Sequence, residues 1–322
     1  MEEDDSDFTG HGRRGAEPHA KEEPGGGRAG AAEPPRSRVW LAGARPRTLP
    51  ASVSPVLVGT AAAAAEGTVV AWRALAAMVV ALALQVGTNY ANDYSDGRRG
   101  TDAHRAGPLR LTASGLVAPT LVLRAAGLAF AVAAVAGLFL ALAVDLRLLL
   151  VGAGCIAAGA LYTGGPRPYG YSGFGEVAVL VFFGFVATAG SAYVQLERLT
   201  GLALLASVPV GLLACALLVA NNLRDVDTDA AANKLTLAVR LGAPRTRRLY
   251  QACVAGALAG VVAIGLTRPP ALIALAGLPL AAKPVRLVAE RRDAPGLIAA
   301  LVGTARLQLV TCALLAAGLW VS

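Results

Sequence analysis

The sequence predicts an all-α fold: a polytopic transmembrane bundle of nine helices. Three observations carry that expectation. The 322-residue chain is 55% hydrophobic, above the roughly 45–50% of ordinary soluble domains. Its apolar residues are blocked rather than spread, as in Ala74–Val86, Ala125–Val144, Leu202–Ala220 and Leu297–Trp320, runs that approach or exceed the ~20 residues that cross a bilayer. Its basic residues gather in alternate loops between those runs.

Residues 1–37 come first. They mix acidic and basic side chains with Gly, Ala and Pro and hold almost no large apolar residue. Such a segment cannot bury enough surface to offset its ordering entropy, so it reads as a disordered tail. It lacks the apolar core that follows the basic start of a signal peptide. Residues 38–322 read as one membrane domain. Its spans fall at roughly 48–65, 71–91, 121–144, 147–163, 174–194, 201–220, 248–267, 270–288 and 296–320, with Gly and Pro interruptions that membrane helices tolerate. Cys155, Cys215, Cys253 and Cys312 each sit alone in an apolar run. They read as small buried hydrophobes and say nothing of redox compartment.

Loop charge orients the chain. The loops after spans two, four, six and eight hold Arg98, Arg99, Arg105, Arg110, Arg124, Arg167, Arg224, Lys234, Arg240, Arg245, Arg247, Arg248, Lys283, Arg286, Arg291 and Arg292. The opposite loops hold Arg73, Arg147, Arg198 and Arg268, so the bias is sixteen to four. By the positive-inside rule the N-terminus and the basic loops are cytoplasmic, in the cell membrane. The net charge of +8 is thereby explained by topology and anion handling, not by a nucleic-acid stripe.

Two motifs carry chemistry, both at expected cytoplasmic span ends. Span two ends in Asn89-Tyr-Ala-Asn92-Asp93-Tyr-Ser-Asp96-Gly-Arg98-Arg99, and span six in Asn221-Asn222-Leu-Arg224-Asp225-Val-Asp227-Thr-Asp229. Asn89 and Asp93 are four apart, with Asp96 a turn on; Asn221, Asp225 and Asp229 step by four. If the helices continue that far, each set lines one face. Two facing carboxylate clusters repel without cations. Magnesium takes oxygen ligands, one or two carboxylates per ion, and completes its shell with phosphate oxygens. The arrangement therefore predicts a diphosphate held between two acidic helix ends, with Arg98, Arg99 and Lys234 beside it to grip phosphate. Asp102 and Asp227 are as well explained by solvation.

These motifs, four spans apart, resemble the UbiA superfamily of intramembrane aromatic prenyltransferases over roughly residues 39–320. Ala44-Arg45-Pro46-Arg47-Thr48-Leu49-Pro50, the segment Leu161–Tyr171 followed by Gly175-Glu176, and Lys234–Gly242 look like the branch that prenylates 1,4-dihydroxy-2-naphthoate. Asn233 departs from the pattern, where Gly or an acidic residue is expected. The resemblance implies that Asn89, Asp93 and Asp96 hold one Mg2+ and Asn221, Asp225 and Asp229 another. The four aspartates would be catalytic. Lys234, Arg98 and Arg99 would contact diphosphate, and Tyr162 would shape the pocket. The implied reaction moves a long polyprenyl group from polyprenyl diphosphate to dihydroxynaphthoate with loss of CO2, giving demethylmenaquinol in menaquinone biosynthesis. The partners are these substrates and the lipid bilayer, with no nucleic acid or protein partner evident.

Other residues have two readings each. Arg45 and Arg47 are substrate grips or positive-inside anchors. Gln85, one turn before Asn89, is a substrate contact or helix–helix glue, and Glu176 is similar. Arg306, about ten residues into span nine, is a contact to an acidic substrate group or a structural pair. Tyr162 and Tyr169 suit a pocket or an aromatic belt, and Trp72 and Trp320 suit interfacial anchors. His104 carries no assignment. Two rivals stand: the same chemistry on hydroxybenzoate, homogentisate or haem, and a transporter. Transporters place coupling sites near the midplane, whereas these carboxylates gather at one face.

Overall fold

The computed structural model describes residues 35–101 and 109–322; the expected tail, save its last residues, and Asp102, His104 and Arg105 lie outside them. Among the described residues every regular element is helical. The helices are α1 (Arg36–Ala44), α2 (Pro50–Ala64), α3 (Ala71–Arg99), α4 (Pro119–Ala143), α5 (Leu148–Leu161), α6 (Gly175–Leu196), α7 (Gly201–Arg224), α8 (Val226–Ala231), α9 (Leu237–Gly265), α10 (Pro279–Glu290) and α11 (Ala294–Trp320). Short 3-10 segments at Pro46–Thr48, Tyr169–Ser172 and Pro269–Gly277 link them.

Among the described residues six helices are long and apolar enough to cross a membrane: α3, α4, α6, α7, α9 and α11. The expected eighth span is a bent pair, Pro269–Gly277 with α10, broken by 47°; Pro269, Pro270 and Pro279 start its two pieces. The expected first and fourth spans are α2 and α5, of 15 and 14 residues. At 1.5 Å per residue these reach about 22 Å, short of a ~30 Å hydrocarbon core. All nine apolar segments are therefore present among the described residues, six of them as full-length spans and a seventh as the bent pair.

The lipid-facing character shows in what is left exposed. On α4, Leu121, Leu128, Val135, Phe139 and Leu142 are exposed, although its richest window has a mean hydropathy of 2.4. A helix apolar on its outer face suits hydrocarbon rather than water. The chain is a multi-pass membrane protein.

The main core joins α2, α7, α9, α10 and α11 around Val58, Val210, Val219, Tyr250, Ile264, Leu307 and Leu315. Close helix approach depends on small residues. Gly184 of α6 faces Gly211 of α7, and a Cβ on either would meet the other's Cα at 2.9 or 2.8 Å. This is packing by backbone proximity, which apolar solvent requires because burial alone drives little association there. A second subset, α3 with α4, carries its own core around Tyr90, Leu111 and Val122.

Candidate active site

Helix length brings the first motif to its place. α3 has 29 residues, about 44 Å, and outruns the ~30 Å hydrocarbon core by roughly two and a half turns. Its polar end, from Asn89 to Arg99, therefore emerges at the interface. α7 stops at Arg224, where Asp225 leaves helical geometry with φ −99° and ψ 7°. α8 restarts at once, and the Asp229 N–H still reaches the Asp225 carbonyl at 2.8 Å. The second motif is thus split across a break, not carried on one continuous helix face.

The two motifs meet at Lys234. Its Nζ lies 3.5 Å from Asp96 Oδ2 and 3.9 Å from Asp229 Oδ1. All three residues are at least 93% buried. Lys234 also stands over the Tyr171 ring, 5.0 Å from its centroid, and the Tyr171 hydroxyl donates to Asp96 Oδ1 at 2.7 Å. Burial, and then the Asp96 charge, hold the Tyr171 phenol well above its ordinary value. Arg224 grips the neighbouring pair: its Nε and Nη2 donate to Asp225 Oδ1 and Oδ2 at 2.7 and 2.6 Å, and Nη2 reaches Asn221 Oδ1 at 3.0 Å.

Asp96, Asn221 and Lys234 of this cluster line a cavity of about 340 Å3; Tyr171, Arg224, Asp225 and Asp229 do not line it. Arg45, Gln85, Asn89, Asn92, Asp96, Tyr162, Asn221, Asn222 and Lys234 contribute to its polar portion. Leu84, Leu140, Leu148, Val151, Phe182, Phe183 and Val186 supply an apolar wall from α3, α4, α5 and α6. The site is therefore charged at one part and oily along the rest.

Not every expected residue faces it. Asp93, fully buried, accepts the backbone N–H groups of Leu111 and Thr112 at 3.0 and 2.8 Å, and so fastens the segment after residue 108 to α3. Arg98 is exposed beside Tyr94, 5.9 Å from the ring centroid. Arg99 donates to the carbonyls of Thr163 and Gly165 and lies over Tyr171, tying the loop after α5 to α3. Arg306 sits on an exposed stripe of α11 with Val302 and Leu309, away from the cavity. Asn89 lines the cavity, yet its Nδ2 donates to the Ala44 carbonyl at 2.9 Å and its Oδ1 accepts from Gln85 at 3.2 Å. Gln85 Oε1 in turn accepts from Ser52. Arg45, left-handed at φ 54°, caps α1 and faces the cavity. Tyr162 packs edge-on against Tyr169, with centroids 5.4 Å apart. Its carbonyl takes the Gly170 N–H at 2.9 Å, and a Cβ at Gly170 would meet that oxygen at 2.6 Å. The glycine is what lets the loop fold back on the tyrosine.

Sequence reasoning passed over Asn92, Tyr171, Arg224 and Asn222. Asn92 lies four residues before Asp96, the same step as Asn221 to Asp225, so the signal was there in a second register. Nothing in spacing marks Tyr171 or Arg224, whose roles depend on how the loops fold back.

Acidic and basic side chains are thus brought together, buried, beside a largely apolar cavity inside a membrane bundle. The pattern of the UbiA prenyltransferase family matches residues 52–302. The chain is 50% identical over 279 residues to 1,4-dihydroxy-2-naphthoate octaprenyltransferase of Mycobacterium leprae, covering 87% of this chain and 95% of that one. The Mycobacterium tuberculosis protein of the same name is 51% identical, covering 84% and 93%. Among solved structures, a UbiA homolog from Archaeoglobus fulgidus bound to GPP and Mg2+ superposes with a TM-score of 0.60 at 13% identity, covering 86% of this chain and 99% of that one. The chain belongs to the UbiA prenyltransferase family, and the expected all-helical UbiA-type fold is borne out.

Proposed function

We propose that this protein transfers a long polyprenyl group from polyprenyl diphosphate to 1,4-dihydroxy-2-naphthoate, with loss of the carboxylate as CO2, giving demethylmenaquinol and diphosphate. The observation that supports this most is Lys234 bridging Asp96 and Asp229 beside a largely apolar cavity, in a chain half identical to enzymes named for that reaction. The active face is cytoplasmic, in the cell membrane, a reading supported by the loop charges.

The donors suit magnesium. They are carboxylates and amide oxygens, the hard ligands that magnesium takes beside phosphate and water. Asp96 on α3 and Asp229 on α8, which Lys234 already brings together, would hold it with Asn92, Asn221 and Asp225, whose oxygens would have to be shared with or released by Thr163 and Arg224. When bound, magnesium supplies Lewis-acid neutralisation of the departing diphosphate.

The chain's own residues do the rest. Lys234 offers a buried positive charge to the leaving diphosphate, where low dielectric strengthens it. Tyr171 and Arg224 fix the carboxylates, so little reorganisation is needed as charge develops. The apolar wall holds the prenyl chain and keeps water from the allylic cation, so the electron-rich ring captures it instead.

The test is an assay in membranes containing the protein, with magnesium, one long allylic diphosphate and carboxyl-labelled dihydroxynaphthoate. We expect a prenylated naphthoquinol and released labelled CO2. Lys234→Ala lowers turnover by a factor of roughly 100, while Lys234→Arg retains part of it. Prenylation of hydroxybenzoate, homogentisate or haem in place of dihydroxynaphthoate would reassign the acceptor.

A further inference from the structure

Glu176 and Asn222 form a pair that the diphosphate site does not use. Glu176, in the first turn of α6, is 93% buried. Its Oε1 accepts from Asn222 Nδ2 at 3.0 Å, and its Oε2 has no hydrogen-bond partner. A carboxyl group so placed in a membrane span is costly and needs a reason. Asn222 is the residue between it and the cavity: Asn222 lines the cavity wall and Glu176 does not.

The hydrogen bond decides how the amide stands. The Asn222 NH2 faces Glu176, donating through Nδ2 to Oε1. The amide oxygen then has no partner among the described residues and is presented to the cavity. It sits next in sequence to Asn221, on the wall that also carries Lys234. An acceptor placed there serves a donor on the substrate, and the aromatic acceptor brings hydroxyl groups.

Resting on the function proposed above, we infer that Asn222, held in orientation by Glu176, accepts a hydrogen bond from a ring hydroxyl of the aromatic acceptor. Asn222 is a specificity-determining residue and Glu176 a positioning residue. The contact holds the ring beside the diphosphate end of the donor, where the carbon–carbon bond must form. It also gives the site a means to reject rings lacking that hydroxyl, because the amide oxygen would then be buried unpaired.

Steady-state kinetics in membranes test this with dihydroxynaphthoate and its two monohydroxy analogues, 1-hydroxy- and 4-hydroxy-2-naphthoate. The wild type should favour the dihydroxy acceptor over one analogue by tenfold or more in kcat/KM. Asn222→Leu, Asn222→Ala and Glu176→Leu should raise the acceptor KM about tenfold, leave the KM for prenyl diphosphate unchanged, and flatten that preference. Glu176→Gln keeps an amide oxygen that can take the Asn222 N–H, and should restore most of it. The inference is overturned if the wild type treats all three rings alike. It is equally overturned if Asn222→Ala keeps the full preference, or if the Glu176 variants change both KM values together. A wild type that prenylates another aromatic hydroxy acceptor instead would sink the acceptor assignment alone, and the same series on that acceptor's hydroxyl-deleted analogue then decides the role of the pair.

Discussion

Lys234 and Asp93 show how differently two charged residues of one neighbourhood are employed. Lys234 is shared between carboxylates from distant parts of the chain. Asp93 is satisfied by two backbone N–H groups. Its loss leaves those donors buried, at about 1–3 kcal/mol each. Asp93→Ala should therefore lower the thermal midpoint of the purified protein by several degrees, yet keep the rise in midpoint that magnesium and an unreactive diphosphate produce by binding the folded state. Asp96→Ala should lose that rise. Thermal unfolding with and without the two ligands checks both, and an Asp93→Ala protein that stays as stable as wild type but no longer responds to them would return Asp93 to the metal site. The sequence made the Asn-x-x-x-Asp step legible, but not its register. Asn89–Asp93 and Asn92–Asp96 share one spacing and differ by three residues, about 60° around the helix. Which of them faces the partner motif depends on how α3 packs against α2 and α4.

Helix limits follow from the same competition between local preference and packing. The apolar runs made the long helices easy to find, and α3, α4, α6, α7 and α11 fall near their expected places. What spacing could not reveal was irregularity inside them. α6 passes through a π-helical stretch at Leu180–Ala189, and α9 kinks at Gly242, with φ 74° and ψ 161°, two residues before Pro244. α7 ends at Arg224 although no Gly or Pro follows it. The π-helical stretch coincides with the close Gly184–Gly211 approach, whereas the α9 kink falls at a glycine with positive φ just before Pro244. One boundary has a local cause that pH can probe. Asp293 caps α11: its Oδ2 accepts the Gly296 N–H at 3.0 Å and its carboxylate pairs with Arg291 at 2.7 Å. Those contacts, led by Arg291, hold its carboxyl down at about 2, against an ordinary 3.8. The folded value is depressed, so the stabilisation is complete above the unfolded value and is lost as pH falls toward 2. Thermal midpoints measured from pH 6 downward should therefore separate wild type from Asp293→Ala. The gap should stay constant above about pH 5 and close between about 4 and 2. A gap independent of pH would show that the carboxylate charge contributes nothing to the cap.

On the scale of the whole molecule, the same charge pattern that orients the chain also locates its chemistry. The motif ends of α3 and α7 lie in the loops that carry the basic excess, while the loop from α6 to α7 holds Arg198 and the exposed Leu199. If the basic loops are cytoplasmic, the proposed site is open to that side, where the diphosphate head group and the aromatic acid would meet it, and the prenylated product would leave into lipid. That expectation is open to direct measurement with single added cysteines. Ala113, exposed after α3, and Leu199, 62% exposed before α7, lie at opposite ends of the bundle by chain order, since α4, α5 and α6 intervene. The native thiols give a low background: Cys215, Cys253 and Cys312 are buried and Cys155 is partly so. In intact cells a membrane-impermeant maleimide should label Leu199→Cys and leave Ala113→Cys unlabelled. In inside-out vesicles the pattern should reverse. Labelling of both from one side would break the link between alternate loops and opposite faces. Labelling of Ala113→Cys alone from outside would invert the protein and put Asp96, Asp229 and Lys234 where no cytoplasmic substrate could meet them.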